Sequence, residues 1–150
     1  MTSANEKHAL EGFPAAAVRF VRALERNREQ IAIDNGLSAS DLRALFWIAE
    51  HSNVTPKAVA EHMEMTTGAI TAITNRLSDR GLLQRVAHPS DRRSNFLELT
   101  ETGHVLMREI HTDFNHMVSE STSCLAPEEL IVFESALTRV AAEVAARTGR

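Results

Sequence analysis

The stretch GLLQRVAHPSDRRSNFLELT, residues 81–100, decides the fold predicted for this chain. Two runs with strand character flank the turn-forming residues 88–91, which predicts a β-hairpin. Arg92 and Arg93 lie at or just past its tip. A guanidinium can hold two phosphate oxygens at once, so this tip suits a phosphate backbone. A carboxylate would repel phosphate, and Asp91 is therefore interpreted as orienting a neighbouring arginine.

Four helices are predicted before the hairpin. The first covers about 13–34, where apolar residues recur at helical spacing, and Asn35-Gly36 ends it. The next three begin at residues that can accept hydrogen bonds from free amide groups: Ser38 with Asp41, Thr55 before Pro56, and Thr66. The fourth helix runs to about Arg80, with Gly81 as its end signal.

The fourth helix has an outer face that is unusual for a surface helix. Its apolar side is formed by Ile70, Ile73 and Leu77. The opposite side carries small uncharged residues at five positions: Thr67, Gly68, Thr71, Ala72 and Asn75. A solvated face usually carries Lys and Glu, whereas short side chains allow a helix to enter a DNA groove. A helix pair of this kind followed by a hairpin predicts a winged helix-turn-helix.

Composition indicates one cytoplasmic domain. The chain has 150 residues, 43% of them apolar, and no apolar run approaches the roughly 20 residues that a membrane helix needs. The first residues lack the pattern of a signal peptide, and the single Cys124 excludes an internal disulfide framework. The net charge is −4, but residues 55–99 hold six Lys and Arg against five Asp and Glu. A nucleic-acid surface would therefore be local.

Three motifs follow one another in the sequence: RLSDRGLLQR at 76–85, PSDRR at 89–93 and LTETG at 99–103. In this order and spacing they resemble the MarR family of bacterial transcriptional regulators. The resemblance covers residues 1–150 and implies a mainly α fold with a small β-hairpin wing. It places a winged helix-turn-helix lobe at 37–99 and dimerisation helices at 10–36 and 100–150. Glu64 departs from the family pattern, because relatives commonly have glycine in the turn between the two motif helices.

The resemblance and the helix face together predict the DNA contacts. The expected DNA-binding residues are Thr66, Thr67, Thr71, Asn75, Arg76, Arg92 and Arg93. Arg76 has two interpretations, a phosphate contact or a brace for the hairpin. The expected partner is double-stranded DNA with a pseudo-palindromic operator, read by a homodimer whose recognition helices lie about 34 Å apart. The expected function is repression with release by a small aromatic or anionic effector.

Two apolar stripes favour a dimer independently. The fifth helix carries Leu106, Ile110, Phe114 and Met117, and the sixth carries Leu130, Phe133, Leu137, Val140 and Val144. Such stripes often form intrachain core. These helices have little besides the first helix to pack on, so a second chain is the favoured partner.

Sensing residues are harder to identify. Glu101, His104, Arg108 and His111 share one helix face, but the two histidines are about 10.5 Å apart along the axis. Zinc bonds are near 2.1 Å, so no metal site is expected here unless His51 or His116 contributes from elsewhere in the dimer. Cys124 is interpreted as an ordinary, partly buried thiol rather than a redox switch.

Phe20, Phe46 and Trp47 form the candidate effector pocket, although core packing explains these aromatics equally well. No phosphate-binding glycine loop, CxxC pair or nucleophile elbow occurs, so neither an enzyme nor a cofactor is expected. The alternative function is a helical dimer that keeps the winged-helix shape for binding metabolites or proteins without DNA.

Overall fold

The computed structural model describes residues 9–87 and 95–148. Its elements are α1 (Gly12–Asp34), α2 (Ala39–Glu50), α3 (Pro56–Met63), α4 (Thr67–Asp79), β1 (Leu83–Ala87), β2 (Asn95–Leu99), α5 (Glu101–Ser121) and α6 (Pro127–Thr148). The predicted class, mainly α with one hairpin, is confirmed. No helix in the described ranges combines the length and apolar content needed to cross a membrane.

The predicted helix starts are confirmed by their hydrogen bonds. Ser38 Oγ accepts from the Asp41 amide at 3.1 Å, and the Asp41 carboxylate accepts from the Ser38 amide at 3.1 Å. Thr55 Oγ1 and Thr66 Oγ1 each accept, at 3.2 Å, from the amide three residues on. These side chains replace the partners that first-turn amides lack. Gly36 ends α1 with φ +62°.

Glu64 forms the turn between α3 and α4 in a left-handed conformation, with φ 54° and ψ 43°. Its amide donates to the carbonyl of Glu61 at 3.3 Å. A side chain strains the backbone in this region, whereas glycine adopts it freely. The absence of glycine at this position therefore leaves strain in the turn.

One compact unit, residues 1–107, contains α1 to α4, the hairpin and the start of α5. Its core includes six large side chains with almost no exposed surface: Leu42, Leu45, Val59, Ile70, Leu77 and Leu97. The hairpin is antiparallel and pairs Leu83 with Leu99 and Arg85 with Leu97. Leu97 also donates from its amide to the Val54 carbonyl at 2.7 Å. The predicted inward orientation of Leu97 and Leu99 is confirmed by their burial.

The start of α5 packs tightly against the beginning of the hairpin. Thr100 caps the helix by accepting from the Gly103 amide at 3.0 Å, and its own amide donates to the Leu82 carbonyl at 3.1 Å. Gly103 is buried, and a Cβ atom there would overlap the Leu82 carbonyl oxygen. Only glycine permits this approach.

A second unit, Arg108–Arg150, contains the rest of α5 and α6. None of the α6 residues, 127–148, is buried in the single chain. Its predicted apolar stripe is exposed throughout: Leu130, Phe133, Leu137, Val140 and Val144. On α5, Ile110 is buried and Phe114 is exposed.

Candidate nucleic-acid interface

The two sides of α4 differ as the sequence predicts. Ile70, Ile73 and Leu77 are buried. The five small residues of the opposite side are all exposed: Thr67, Gly68, Thr71, Ala72 and Asn75. The buried side anchors the helix to the core, so a ligand can reach the small uncharged face without local unfolding.

The N-terminal turn of α4 is electrostatically suited to an anion. Thr66 caps it, and the first turn contains no acidic residue. The unpaired amides and the helix dipole give this end a partial positive charge, which favours phosphate. The Thr66 hydroxyl oxygen accepts from the Ala69 amide at 3.2 Å, and its proton is still available for a phosphate oxygen.

Thr71 already uses its hydroxyl proton within the helix. Its Oγ1 donates to the Thr67 carbonyl at 2.9 Å. A hydroxyl has two acceptor lone pairs in addition to its single proton. In this conformation Thr71 therefore presents an acceptor to a ligand, and the adjacent methyl group adds a small apolar contact.

Asn75 and Thr74 are joined to the hairpin by Arg85. Arg85 Nη2 donates to Asn75 Oδ1 at 3.0 Å and to Thr74 Oγ1 at 3.1 Å. The sequence interpretation missed this contact. Strand alternation could have placed Arg85 on the same face as the inward Leu83, but it could not have identified Thr74 and Asn75 as its partners.

Arg76 makes a contact that neither of its two predicted roles included. Its Nη2 donates to Asp41 Oδ1 at 2.7 Å, which ties α4 to the capping box of α2. Burial by itself raises the pKa of the Asp41 carboxyl, but hydrogen bonds from Arg76 and Ser38 and the Arg76 charge hold this pKa below its usual value of 3.8. The described contact that braces the hairpin comes from Arg85 instead.

Arg80, at the end of α4, holds the end of α1. Its guanidinium donates to the Asn35 carbonyl at 2.8 Å and also to the Gly36 carbonyl. The last carbonyls of a helix carry partial negative charge, which a cation neutralises. This arginine is therefore engaged in holding the turn after α1.

The predicted wing residues Asp91, Arg92 and Arg93 lie outside the described residues. Their roles stay predictions: two phosphate contacts and one orienting carboxylate. The described strands place the two ends of the segment side by side, because Ala87 pairs with Asn95.

The three aromatic residues of the candidate effector pocket have different surroundings. Trp47 stacks on His51 and on His62 of α3, with ring centroids 4.7 and 4.9 Å apart. Phe46 is half-buried and Phe20 is exposed. The stacking shows that Trp47 contributes to the contact between α2 and α3, and the pocket stays a prediction.

The histidines within 9–87 and 95–148 and the cysteine lie at the surface. Glu101, His104, Arg108 and His111 are exposed, as a solvated face predicts. No three His, Cys, Asp or Glu residues within 9–87 and 95–148 are grouped to hold a metal ion. Cys124 is exposed, so the expectation of a partly buried thiol was wrong. It follows the C-terminal end of α5, and its Sγ donates to the Ser121 carbonyl at 3.7 Å.

Comparison with known proteins points to one family. A family model described as the MarR family matches residues 35–94. The chain is 26% identical over 122 residues to the HTH-type transcriptional regulator MhqR of Bacillus subtilis, covering 81% of this chain and 84% of that protein. It is 27% identical over 96 residues to the HTH-type transcriptional repressor MdtR of the same species, covering 64% of this chain and 62% of that protein.

Solved structures show the same fold. A mutant of MepR from S. aureus aligns with a TM-score of 0.77 and 17% identity, covering 89% of this chain and 99% of that one. Another MepR mutant, solved bound to an oligodeoxyribonucleotide, aligns with a TM-score of 0.66 and 18% identity, again covering 89% of this chain and 99% of that one.

Proposed function

We propose that the chain is a MarR-family regulator that acts as a dimeric, sequence-specific DNA-binding repressor. The observation that carries the proposal is the outer face of α4, which is exposed, small and uncharged from Thr67 to Asn75. Such a face can approach base edges closely enough for hydrogen bonds. The relative MdtR is named as a repressor, and a MepR structure with the same fold holds DNA.

We assign the segment of α4 from Thr67 to Asn75 to the major groove. The capped first turn, without an acidic residue, provides a site for a backbone phosphate. Thr67, Thr71 and Asn75 then face the base edges, and Asp79 lies at the far end of the helix, away from the phosphates. Arg92 and Arg93 would hold the backbone on the flanking side, with Asp91 orienting one of them.

A homodimer is the second part of the proposal. The exposed stripe of α6 and the exposed Phe13 and Phe20 of α1 are too apolar for surfaces that remain in water. A second copy of the chain would bury them and would present two recognition helices to the half-sites of a pseudo-palindrome. Binding would take place in the bacterial cytoplasm.

An effector is the third part. A small aromatic or anionic molecule bound near Phe20, Phe46 and Trp47 would favour a conformation with lower DNA affinity. The regulator requires neither catalysis nor a cofactor.

The introduction of a negative charge on the outer face of α4 tests DNA binding. We expect the wild-type protein to bind the region upstream of its own gene, or a sequence selected from a random library, with an affinity that falls as salt rises. Thr71→Glu should weaken binding at least tenfold, because a carboxylate in the groove would be repelled by the negatively charged DNA. Thr112→Glu on α5 is the matched control, since Thr112 is also exposed and also donates to a carbonyl four residues back, at 2.8 Å.

Fluorescence anisotropy over a salt series measures both affinities. Equal losses in the two variants would contradict the assignment of α4. A wild-type protein without salt-sensitive binding to either DNA would overturn the proposal and favour a winged-helix dimer that binds metabolites or proteins.

A further inference from the structure

We propose that Arg85 is a positioning residue that turns Asn75 into a hydrogen-bond donor toward DNA, and so selects guanine over adenine at one base pair of each half-site. The inference rests on the proposed function, because it assumes that α4 reads the major groove. It adds a role for a residue of β1 that does not itself need to touch a base.

A single nitrogen of Arg85 makes both contacts to α4. Nη2 carries two hydrogens, and it lies 3.0 Å from Asn75 Oδ1 and 3.1 Å from Thr74 Oγ1. Each hydrogen therefore has one acceptor. The first bond fixes the orientation of the Asn75 amide, because only its oxygen can accept from a guanidinium. The amide nitrogen of Asn75 must then lie on the side of the amide group away from Arg85 Nη2.

The surroundings hold Arg85 in place. Thr74 is fully buried, and its hydroxyl donates to the Thr71 carbonyl at 3.1 Å, so its oxygen is available to accept from Arg85. Arg85 is paired across the hairpin with Leu97, which is only 1% exposed. Strand pairing fixes the backbone of Arg85, while the buried hydroxyl fixes the end of its side chain.

The orientation of the amide decides which base it matches. A free asparagine recognises adenine with both groups, since its oxygen accepts from N6 and its nitrogen donates to N7. In this structure the oxygen is already bonded to a cation, and the positive charge beside it repels a second donor. Guanine presents two acceptors, N7 and O6, in the major groove. The Asn75 amide nitrogen can donate to these acceptors.

Selection from a randomised operator library tests the inference. The wild-type protein should prefer guanine to adenine roughly tenfold at the position that Asn75→Ala relaxes. Arg85→Met keeps the length of the side chain but removes the donors and the charge. It should shift that one position toward adenine and leave the preferences elsewhere in the half-site unchanged. Arg85→Lys retains a cation and should retain part of the guanine preference.

A purely structural role would give a different result. If Arg85→Met weakened binding equally for all sequences, Arg85 would only support the hairpin and the inference would be wrong. Adenine at the Asn75-dependent position of the wild-type site would also overturn it, and this measurement needs no Arg85 variant. The double variant Asn75→Ala, Arg85→Met should show the same preferences as Asn75→Ala alone. Complete absence of wild-type binding would instead show that the proposed function fails.

Discussion

Glu64 is the residue at which local preference and tertiary structure conflict most clearly. It is an exposed, non-glycine residue with φ 54°, at the turn that sets the angle between the two motif helices. A left-handed residue with a side chain costs about 1–2 kcal/mol. The free energy of packing α3 and α4 must offset this cost.

Replacing Glu64 with glycine should stabilise the fold. The relief of strain exceeds the entropy that glycine loses on folding, so Glu64→Gly should raise the free energy of unfolding by about 0.5–1 kcal/mol. The melting temperature should rise by roughly 1–4 °C. Chemical and thermal denaturation at pH 7 measure both quantities.

Glu64→Ala is the matched control, because it removes the same charge but keeps a Cβ atom. It should leave stability nearly unchanged. A gain as large as that of glycine would mean that the carboxylate, and not the backbone, is responsible.

Single residues also show where sequence reasoning ended. The caps Ser38, Thr55 and Thr66 were predictable because each bonds an amide only three residues away. The partners of Arg76 and Arg85 could not be predicted in this way. The partner of Arg76 lies 35 residues away and those of Arg85 about ten, and both contacts depend on how the helices and the hairpin pack. Residue type and spacing carry little information about such pairs.

At the scale of elements, one buried carboxylate connects α2 and α4. Asp41 accepts from Ser38 within the cap and from Arg76 across the motif, and its side chain is only 8% exposed. The helix α4 is thereby fixed to α2. Replacing Asp41 would remove the hydrogen bonds that its carboxylate accepts from Ser38 and Arg76, although the half-exposed Arg76 would stay hydrated.

The Asp41 pair should make stability depend on pH. Since the folded-state pKa lies below the usual value of 3.8, the stabilisation is complete above that pH and is lost as pH falls through the folded-state value. Asp41→Asn should lower the free energy of unfolding by about 2 kcal/mol at pH 7. The difference from the wild type should shrink below about pH 4.

Urea denaturation at a series of pH values measures this difference. Asp79→Asn, at an exposed carboxylate on α4 itself, serves as the control and should change stability little at any pH. A constant deficit of Asp41→Asn down to pH 2 would mean that the carboxylate charge is not what stabilises the pair.

At the scale of the whole molecule, the unburied apolar surface is the dominant feature. The stripe of α6 follows a 3-4-3-4 spacing, yet every residue of it is exposed in the single chain. The sequence predicted the stripe through periodicity alone. It could not decide between intrachain core and a subunit seam, because both produce the same spacing.

A charge in the centre of the α6 stripe should dissociate the dimer. Leu137 is 42% exposed in the single chain, and Leu137→Glu would bury an unpaired carboxylate between two chains. Light scattering coupled to size exclusion should give a mass near 16.6 kDa for this variant, against about twice that value for the wild type. The affinity of this variant for a full operator should also fall, because a single chain binds only one half-site.

Ser135→Glu places the same charge on the opposite face of α6 and should leave the dimer intact. If both variants dissociate, or if the wild type already has the mass of one chain, the α6 stripe is not the seam.

Gly103 has a consequence for how this regulator can change over evolutionary time. No side chain fits against the Leu82 carbonyl, so a mutation at this position is excluded by volume even though a helix would locally prefer alanine. The outer face of α4 has no comparable steric constraint, because its five small residues are exposed and the bond of Asn75 to Arg85 is also made at the surface. If α4 reads the operator as proposed, new operator sequences can be acquired by exchanging residues on α4, while the join between hairpin and α5 stays as it is.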